Sequence, residues 1–266
     1  MLSVVHVDRV IVISPHLDDA VFSCGTLLAQ LAAAPLRSAV LTVLAGMPPP
    51  QINLAPYDAK CGFSSSRQAM LTRWDEDSRA LAGLGADVIR LGTLDSQYAP
   101  LPDPAQLADT LWSALAHRVD STDAVLMPFG LFHCDHECVA HACRILMQRH
   151  ADATRWLAYE DVLYRRRQGV LQRRLVTLHA AGIEATPITL LTPDSAPGVP
   201  LSDGDAGQVL GAASPHHLAR KRRAVRCYAS QLQTLSITAG GDETSAERYW
   251  LLSPCASDAS VAPERP

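Results

Sequence analysis

Four short apolar segments that alternate with amphipathic segments most constrain how this chain can fold. The apolar segments are rich in aliphatic and β-branched residues, which is typical of strands buried on both faces of a parallel sheet; they occupy residues 10–14, 39–44, 87–91 and 123–127. The segments between and after them have helical spacing of apolar residues and predict helices at residues 21–34, 73–85, 104–116 and 136–148. This alternation predicts an α/β fold with a mostly parallel sheet and helices on both faces.

The pattern becomes less regular after Trp156. We predict a further strand at residues 157–159, one or two peripheral strands within 175–191, and a basic helix at 217–232. Two polar segments rich in Ser, Pro or Gly predict loops at 51–66 and 194–214. Because binding residues are often carried by loops, we expect 51–66, and the second loop extended to 217, to shape any ligand cleft. The organisation expected is one domain over residues 1–253 with a smaller C-terminal extension, followed by a disordered tail at 254–266.

The composition is that of a globular protein with a sizeable core, since 48% of the 266 residues are hydrophobic and 19% are charged. The formal net charge of -4 provides no electrostatic reason to bind nucleic acid. Seven cysteines, an odd number without a CxxC pair, favour a reducing cytoplasm over a disulfide framework. We find no signal-peptide pattern and no apolar run long enough to span a membrane. The oligomeric state is not indicated.

Two polar clusters follow two of the predicted strands. The first is "PHLDDA", with His16, Asp18 and Asp19, and the second is "HCDH", from His133 to His136. Because ligands of open parallel sheets bind outside the carboxyl ends of the strands, both clusters can lie on one rim of the sheet. Together they offer imidazoles and carboxylates, which suit a divalent ion such as zinc.

A catalytic zinc typically has three protein ligands and keeps one position for water. His16, Asp19 and His136 would supply the three ligands. Asp18 would then be available to accept a proton from the water, and His133 could stabilise a developing oxyanion while nearby Asp135 orients its ring.

Each cluster alone also has a simpler interpretation. Asp18 and Asp19 could cap the following helix, His16 could be an ordinary turn histidine, and the two histidines of "HCDH" could begin a solvated helix. A structural zinc site at Cys134, Cys138 and His141 is conceivable, but the spacing favours helix packing by these cysteines. The turn after the first strand lacks GxGxxG, so dinucleotide binding is not expected.

"PHLDD" followed at a distance by "HCDH" resembles the motifs of the PIG-L / LmbE-like zinc deacetylases. The resemblance implies a Rossmann-like three-layer α/β/α sandwich and removal of an N-acyl group from a glucosamine moiety. It implies that His16, Asp19 and His136 bind zinc, that Asp18 is the general base, and that His133 with its partner Asp135 stabilises the tetrahedral intermediate.

Other parts of the chain extend the resemblance. Arg73 lies in a basic-acidic helix start, and Asp95 lies where the family often has an acid facing the sugar, so both are implied to contact substrate hydroxyls. The family's C-terminal "K…SQ" pattern is matched by four residues, Lys221, Tyr228, Ser230 and Gln231.

Three positions depart from the usual motifs: Leu17 and Cys134 replace prolines, and Ala20 replaces a glutamate. None is an implied ligand, base or oxyanion donor, so the chemistry is retained. The "HLDDA" form is similar to that of deacetylases acting on glycopeptide-antibiotic (teicoplanin-type) pseudoaglycones, which predicts a natural-product glycoside as the substrate. The alternatives are an amidase or hydratase acting on another small molecule on the same fold, and a non-catalytic metal- or sugar-binding protein.

Overall fold

Eight strands form one sheet in this computed structural model, which describes residues 3–6, 9–34, 36–119, 124–191, 213–235 and 246–255. The strands are β1 (Ser3–His6), β2 (Arg9–Ser14), β3 (Arg37–Thr42), β4 (Asp87–Arg90), β5 (Ala124–Pro128), β6 (Arg155–Tyr159), β7 (Ile183–Leu191) and β8 (Tyr249–Pro254). Their order in the sheet is β1-β7-β8-β6-β5-β2-β3-β4. Only β8 is antiparallel to its neighbours, so the sheet is mostly parallel, as predicted.

The sheet lies between two helical layers. The helices are α1 (Asp19–Ala33), α2 (Pro56–Lys60), α3 (Ser66–Leu84), α4 (Pro104–Leu115), α5 (Cys134–Arg149), α6 (Val170–Ala180), α7 (Pro215–Val225) and α8 (Ala229–Leu235). Alternate residues of β2 enter different cores: Val10 and Val12 pack with α1, α3 and α7, whereas Ile11 and Ile13 pack with α4, α5 and α6. Because a strand presents successive side chains to opposite faces, this division confirms the three-layer α/β/α sandwich.

The structure differs from the sequence prediction in the second half of the chain. Strand β7 confirms one of the one or two strands predicted within 175–191. Residues 175–180 instead belong to helix α6, of which only Val170 and Leu178 are buried, so its apolar periodicity is weak. The predicted helix at 217–232 is two helices, α7 and α8, separated by a turn. Strand β8, to which no prediction was assigned, pairs with both β6 and β7.

Smaller differences concern the first loop and the tail. The segment 51–66 contains the short helix α2, and α3 begins at Ser66, before the predicted start, because the side chain of Ser65 caps it by accepting from the Gln68 backbone N–H. Pro254 ends β8, so the predicted tail does not begin there. Residues 194–212 of the second predicted loop and 256–266 of the tail lie outside the described residues.

A buried ion pair joins the C-terminal segment to the first helix. Lys221 donates to Glu247 at 2.7 Å, and both side chains are at most 2% exposed. Glu247 also accepts hydrogen bonds from the backbone N–H groups of Thr26 and Leu27 and from the Tyr249 hydroxyl. Since these bonds satisfy both charges away from water, the pair ties α7 and β8 to α1.

All seven cysteines are free thiols, as expected for a chain without a disulfide framework. Cys143 is buried in the α5 core, but Cys134 is exposed, so the prediction that Cys134 packs inside the helix layer is wrong. Among the helices of the described ranges, none is both long and apolar enough to cross a membrane.

Candidate metal centre and active-site cavity

Strands β2 and β5 are parallel neighbours at the centre of the sheet, so the segments that follow them emerge side by side. The turn after β2 is held by Ser14, whose hydroxyl donates to the His16 carbonyl at 2.6 Å and accepts from the Ala20 backbone N–H at 3.0 Å. Tyr228, a fully buried residue just before α8, donates to the Leu17 carbonyl at 3.0 Å. The turn after β2 is therefore held by hydrogen bonds from Ser14, next to it in sequence, and from Tyr228, near the C-terminal end of the chain.

The structure brings His16, Asp19 and His136 together. Asp19 Oδ2 lies 3.1 Å from His16 Nδ1 and 3.2 Å from His136 Nε2. One potential ligand atom from each of the three residues lies within 4.8 Å of the other two. Two imidazole nitrogens and a carboxylate oxygen at this spacing form a donor set that fits a divalent metal such as zinc.

A second carboxylate orients each of the two imidazoles. Asp161 Oδ1 lies 2.6 Å from His136 Nδ1, and Asp135 Oδ2 lies 2.9 Å from His16 Nε2. Such carboxylates fix the tautomer of a metal-binding histidine and increase its basicity. The sequence analysis does not identify Asp161. Its position just after the predicted strand at 157–159 could have indicated a third acidic strand end at the same edge of the sheet.

The charges of this cluster compensate each other. Burial alone would lower the pKa of His16, but its hydrogen bonds with Asp135 and Asp19 raise that pKa well above its usual value. Burial alone would raise the pKa of Asp19, whereas His136 and His16 hold it well below its usual value. The carboxylates thus favour positive charge at the imidazoles, and a bound cation would satisfy the same carboxylates.

A second group of potential ligands shares His16 and adds His133 and Asp135. This second group is the less suitable metal site, because His133 is 39% exposed and, among the described residues, no carboxylate lies within hydrogen-bond distance of its ring. In the first group each imidazole has a carboxylate behind it, and His136 is 2% exposed. The first group is therefore the better candidate metal centre.

Asp18 lies beside the three candidate ligands without joining them. It occupies the N-cap position of α1, but its side chain makes no capping hydrogen bond, which argues against the capping interpretation. Burial and the neighbouring Asp19 carboxylate raise the pKa of Asp18 to about 7. The side chain borders the cavity described below, so it is placed to exchange a proton with a molecule bound there.

His133 caps helix α5 through its ring. Its Nδ1 accepts a hydrogen bond from the Asp135 backbone N–H at 3.3 Å, which leaves Nε2–H as the donor of the neutral ring. Burial and the nearby His16 lower the pKa of His133. The Asp135 carboxylate is 3.8 Å from the His133 ring and closer to His16, so the geometry favours a neutral His133 over one charged by Asp135.

A cavity of about 260 Å³ opens above these residues. Its wall includes His133 and Tyr57 of α2, and Gln231 of α8 lies beside Tyr57, whose hydroxyl donates to it at 2.9 Å. Tyr164 stacks on the His133 ring at a centroid distance of 6.0 Å and meets His136 edge-on at 5.1 Å. Within the described part of the chain, the Tyr164 hydroxyl has no hydrogen-bond partner.

The two implied substrate contacts have different surroundings. Arg73 is 4% exposed, and its guanidinium pairs with Asp58 at 2.7 Å and donates to the Tyr98 hydroxyl at 3.3 Å, so it holds the 51–66 segment against α3. Asp95 accepts from the Gln97 backbone and side chain and lies 3.8 Å from His16 Nε2, at the cavity wall. Asp95 is thus the better placed of the two to contact a ligand.

The residues that match the family's C-terminal "K…SQ" pattern connect the elements around the site by hydrogen bonds. Ser230 donates to the buried Glu76 at 2.6 Å, which ties α8 to α3, while Lys221 and Tyr228 make the contacts described above. Within the described residues, Cys134, Cys138 and His141 are not among the groups whose spacing could hold a metal ion.

Removing the charge behind His136 should weaken metal binding. We expect Asp161→Asn to lower zinc affinity by roughly 10–100-fold, because the imidazole loses the carboxylate that fixes its tautomer. Zinc affinity is measured by competition with a chromogenic chelator. Asp109→Asn, the same change at an exposed residue paired with Arg149, is the matched control and should leave zinc affinity unchanged. Equal affinity in both variants would contradict the role of Asp161.

The chain is similar in sequence to one protein family and in fold to several solved structures. The sequence model of the PIG-L family, described as GlcNAc-PI de-N-acetylase, matches residues 11–147, which include both metal motifs. No curated protein sequence matches the chain. Three similar solved structures cover 94–95% of this chain and 99–100% of their own. They are the A40926 pseudoaglycone deacetylase Dbv21 (24% identity, TM-score 0.64), a triple mutant of the teicoplanin-pathway deacetylase Orf2 (24%, 0.68) and a teicoplanin-pathway deacetylase in complex with bog (25%, 0.65).

Proposed function

Because this chain belongs to the PIG-L family, we propose that it is a zinc-dependent hydrolase that removes an N-acetyl or other N-acyl group from a glucosamine moiety. The observation that carries this proposal is one cavity bordered by the His16–Asp19–His136 group and by two further residues, Asp18 and His133. A site that only bound a metal would need neither of the last two. Their presence supports hydrolysis over binding alone.

His16, Asp19 and His136 would hold the zinc ion, with Asp135 and Asp161 orienting the two imidazoles. The bound ion would polarise the acyl carbonyl and lower the pKa of water. Asp18 takes a proton from the attacking water as the new C–O bond forms, and returns it to the amine nitrogen as the C–N bond breaks. The water oxygen and its second hydrogen stay on the acyl carbon, so the products are a carboxylic acid and a free amine and the atoms balance.

The Nε2–H of His133 donates to the oxyanion that develops on the acyl oxygen. A neutral ring can fill this role, since its Nδ1 is occupied by the Asp135 backbone N–H. A protonated His133 would place a second positive charge beside the metal ion, which would be unfavourable.

The substrate we propose is a natural-product glycoside of the glycopeptide-antibiotic type. Support comes from the likeness in fold to deacetylases of A40926 and teicoplanin biosynthesis and from the "HLDDA" form of the first motif. Residues from α2, α8 and the segment after β6 supply aromatic and amide groups at the cavity, which suit a sugar with an attached aromatic aglycone. Asp95 is placed to accept hydrogen bonds from sugar hydroxyls.

The proposed activity is tested by incubating the zinc-loaded protein with N-acetylglucosaminides and N-acyl pseudoaglycones and detecting the free amine by mass spectrometry. A deacylated amino sugar is the expected product. The same screen includes an N-acyl amide lacking a sugar and an unsaturated acid, which would identify an amidase or a hydratase instead. A zinc-loaded protein inert toward every compound would favour a metal- or sugar-binding role.

A cytoplasmic location is part of the same proposal. Seven free thiols, of which Cys24 and Cys143 are fully buried, are typical of proteins kept in a reducing compartment.

The free hydroxyl of Tyr164 leads to a second prediction. Because it borders the cavity and its pKa is raised by burial, it remains a hydrogen-bond donor for the substrate. We expect Tyr164→Phe to lower kcat/KM by about 2–10-fold, the effect of one neutral hydrogen bond. Steady-state kinetics measure this change. Tyr57→Phe is the comparison variant, because Tyr57 also lines the cavity but its hydroxyl already donates to Gln231.

An unchanged kcat/KM in Tyr164→Phe would show that its ring only packs against the two histidines. A selective increase in KM would place the hydroxyl on the substrate away from the reacting carbonyl, whereas a decrease in kcat would place it near the oxyanion.

A further inference from the structure

A second cavity, of about 500 Å³, lies between α5 and α6 and is lined by a different set of residues from the candidate active site. Its floor is formed by Met127 of β5, Ala158 of β6 and Leu252 of β8, on three adjacent strands of the sheet. Met127 and Ala158 are direct partners in the β5–β6 register, and Ala158 contributes only a methyl group. The volume falls within the roughly 300–1,000 Å³ typical of small-molecule sites.

The two side walls are single helix faces. On α5 the lining residues follow helical spacing, namely Glu137, Ala140, His141 and Arg144. On α6 they do the same, namely Val170, Arg173, Arg174, Thr177 and Leu178. The two helices make few contacts with each other, so a channel remains open between them above the apolar floor.

The rim of this channel is strongly basic. It carries the three guanidinium groups of Arg144, Arg173 and Arg174 and one carboxylate, Glu137. Arg174 donates to the Gly130 carbonyl and lies 3.9 Å from Glu137. Within the described ranges, Arg144 and Arg173 have no carboxylate at ion-pair distance. The rim therefore has more positive charge than the protein itself neutralises.

We propose that this channel binds an amphiphile with an aliphatic chain and an anionic headgroup of carboxylate or phosphate oxygens. The chain lies on the apolar floor between the helices, and the guanidinium groups of Arg144 and Arg173 bind the headgroup oxygens. Guanidinium groups present paired N–H donors that match carboxylate and phosphate geometry. Burial of the chain removes apolar surface from water, so neither half of such a ligand would bind as well alone.

Isothermal titration calorimetry with decanoate tests the proposal on the full chain. We expect one binding site per chain for decanoate, with acetate and 1-decanol binding at least about tenfold more weakly because each lacks one half of the ligand. Decyl phosphate in a parallel titration distinguishes a fatty acid from a phosphate headgroup as the preferred source. Equal binding of 1-decanol would overturn the role of the arginines, and no binding of either anion would overturn the site.

Variants locate the ligand. Arg144→Gln/Arg173→Gln should weaken decanoate binding by about tenfold or more, the effect of losing charge-assisted hydrogen bonds. Arg79→Gln/Arg118→Gln, which removes the same net charge at exposed positions elsewhere, is the matched control and should bind normally. Thr177→Phe, which adds an aromatic ring at a lining position and keeps the arginines, should also weaken decanoate binding. Unchanged affinity in either channel variant, or equal weakening in the control, would refute the proposal; thermal unfolding verifies that each variant is folded.

Discussion

Replacing Asp18 with asparagine should lower kcat by about 10²–10⁴-fold, the range usual for loss of a general base. The change preserves the size of the side chain but removes its ability to take a proton from water. Asp18 is 5% exposed, makes no capping bond to α1 and borders the cavity beside the candidate ligands, so the loss should affect the chemical step. Kinetics under substrate saturation measure it, and elemental analysis should find the same zinc content as in the unchanged protein.

Asp75→Asn is the matched control for Asp18→Asn, because Asp75 is an exposed residue whose only described ion pair is with Arg79. It should retain full activity. If Asp18→Asn kept both zinc and activity, the general-base role would be wrong. If it lost zinc together with activity, Asp18 would be a metal ligand instead.

Replacing His136 with alanine should remove the metal altogether. His136 contributes one of the three ligand groups and is 2% exposed, with Nδ1 fixed by Asp161 and Nε2 facing Asp19 at 3.2 Å. Losing a ligand should cost more zinc affinity than the roughly 10–100-fold expected from losing the carboxylate behind it. Zinc content after dialysis and competition with a chelator measure this, and activity should fall in parallel.

His141→Ala is the control, since His141 lies on the same helix but is exposed and outside the candidate site. His136→Ala leaves Oδ1 of the buried Asp161 carboxylate without its imidazole partner, while Oδ2 keeps its hydrogen bond from the Leu131 backbone N–H. We therefore expect a stability loss of about 1–3 kcal/mol, which thermal unfolding should detect. Retention of zinc in His136→Ala, with its loss in His133→Ala, would instead support the group formed by His16, His133 and Asp135.

The first half of the fold was predictable because its signals are local. Strand β2 and helix α1 have the periodicity expected of fully buried elements, and Gly85 ends α3 in the left-handed conformation that glycine favours. Helix α6 is not predictable from its own pattern, because most of its surface is exposed and its β-branched residues favour strand. Strand β8 was missed because its position depends on pairing with β6 and β7 rather than on its own pattern.

The positions of the candidate site residues were predictable, whereas their hydrogen-bond partners were not. Both motifs lie directly after strands, so the strand-end rule was sufficient to place His16 and His136 on one rim. The partners of these rings were not predictable, because His16 is 119 residues from Asp135 and His136 is 25 residues from Asp161. Asp135 was assigned to His133 by proximity in the sequence, yet its carboxylate is 2.9 Å from His16.

The fold class and the chemical types of the side chains at the carboxyl edge of the sheet follow from the sequence alone, because periodicity and strand-end position are properties of short segments. Three features depend on the tertiary structure: which carboxylate orients which imidazole, the capping of α5 by the His133 ring, which accepts from the Asp135 backbone N–H, and the basic channel between α5 and α6. These features depend on the order of strands in the sheet and on distances between side chains far apart in the chain. Local patterns contain no information about such distances.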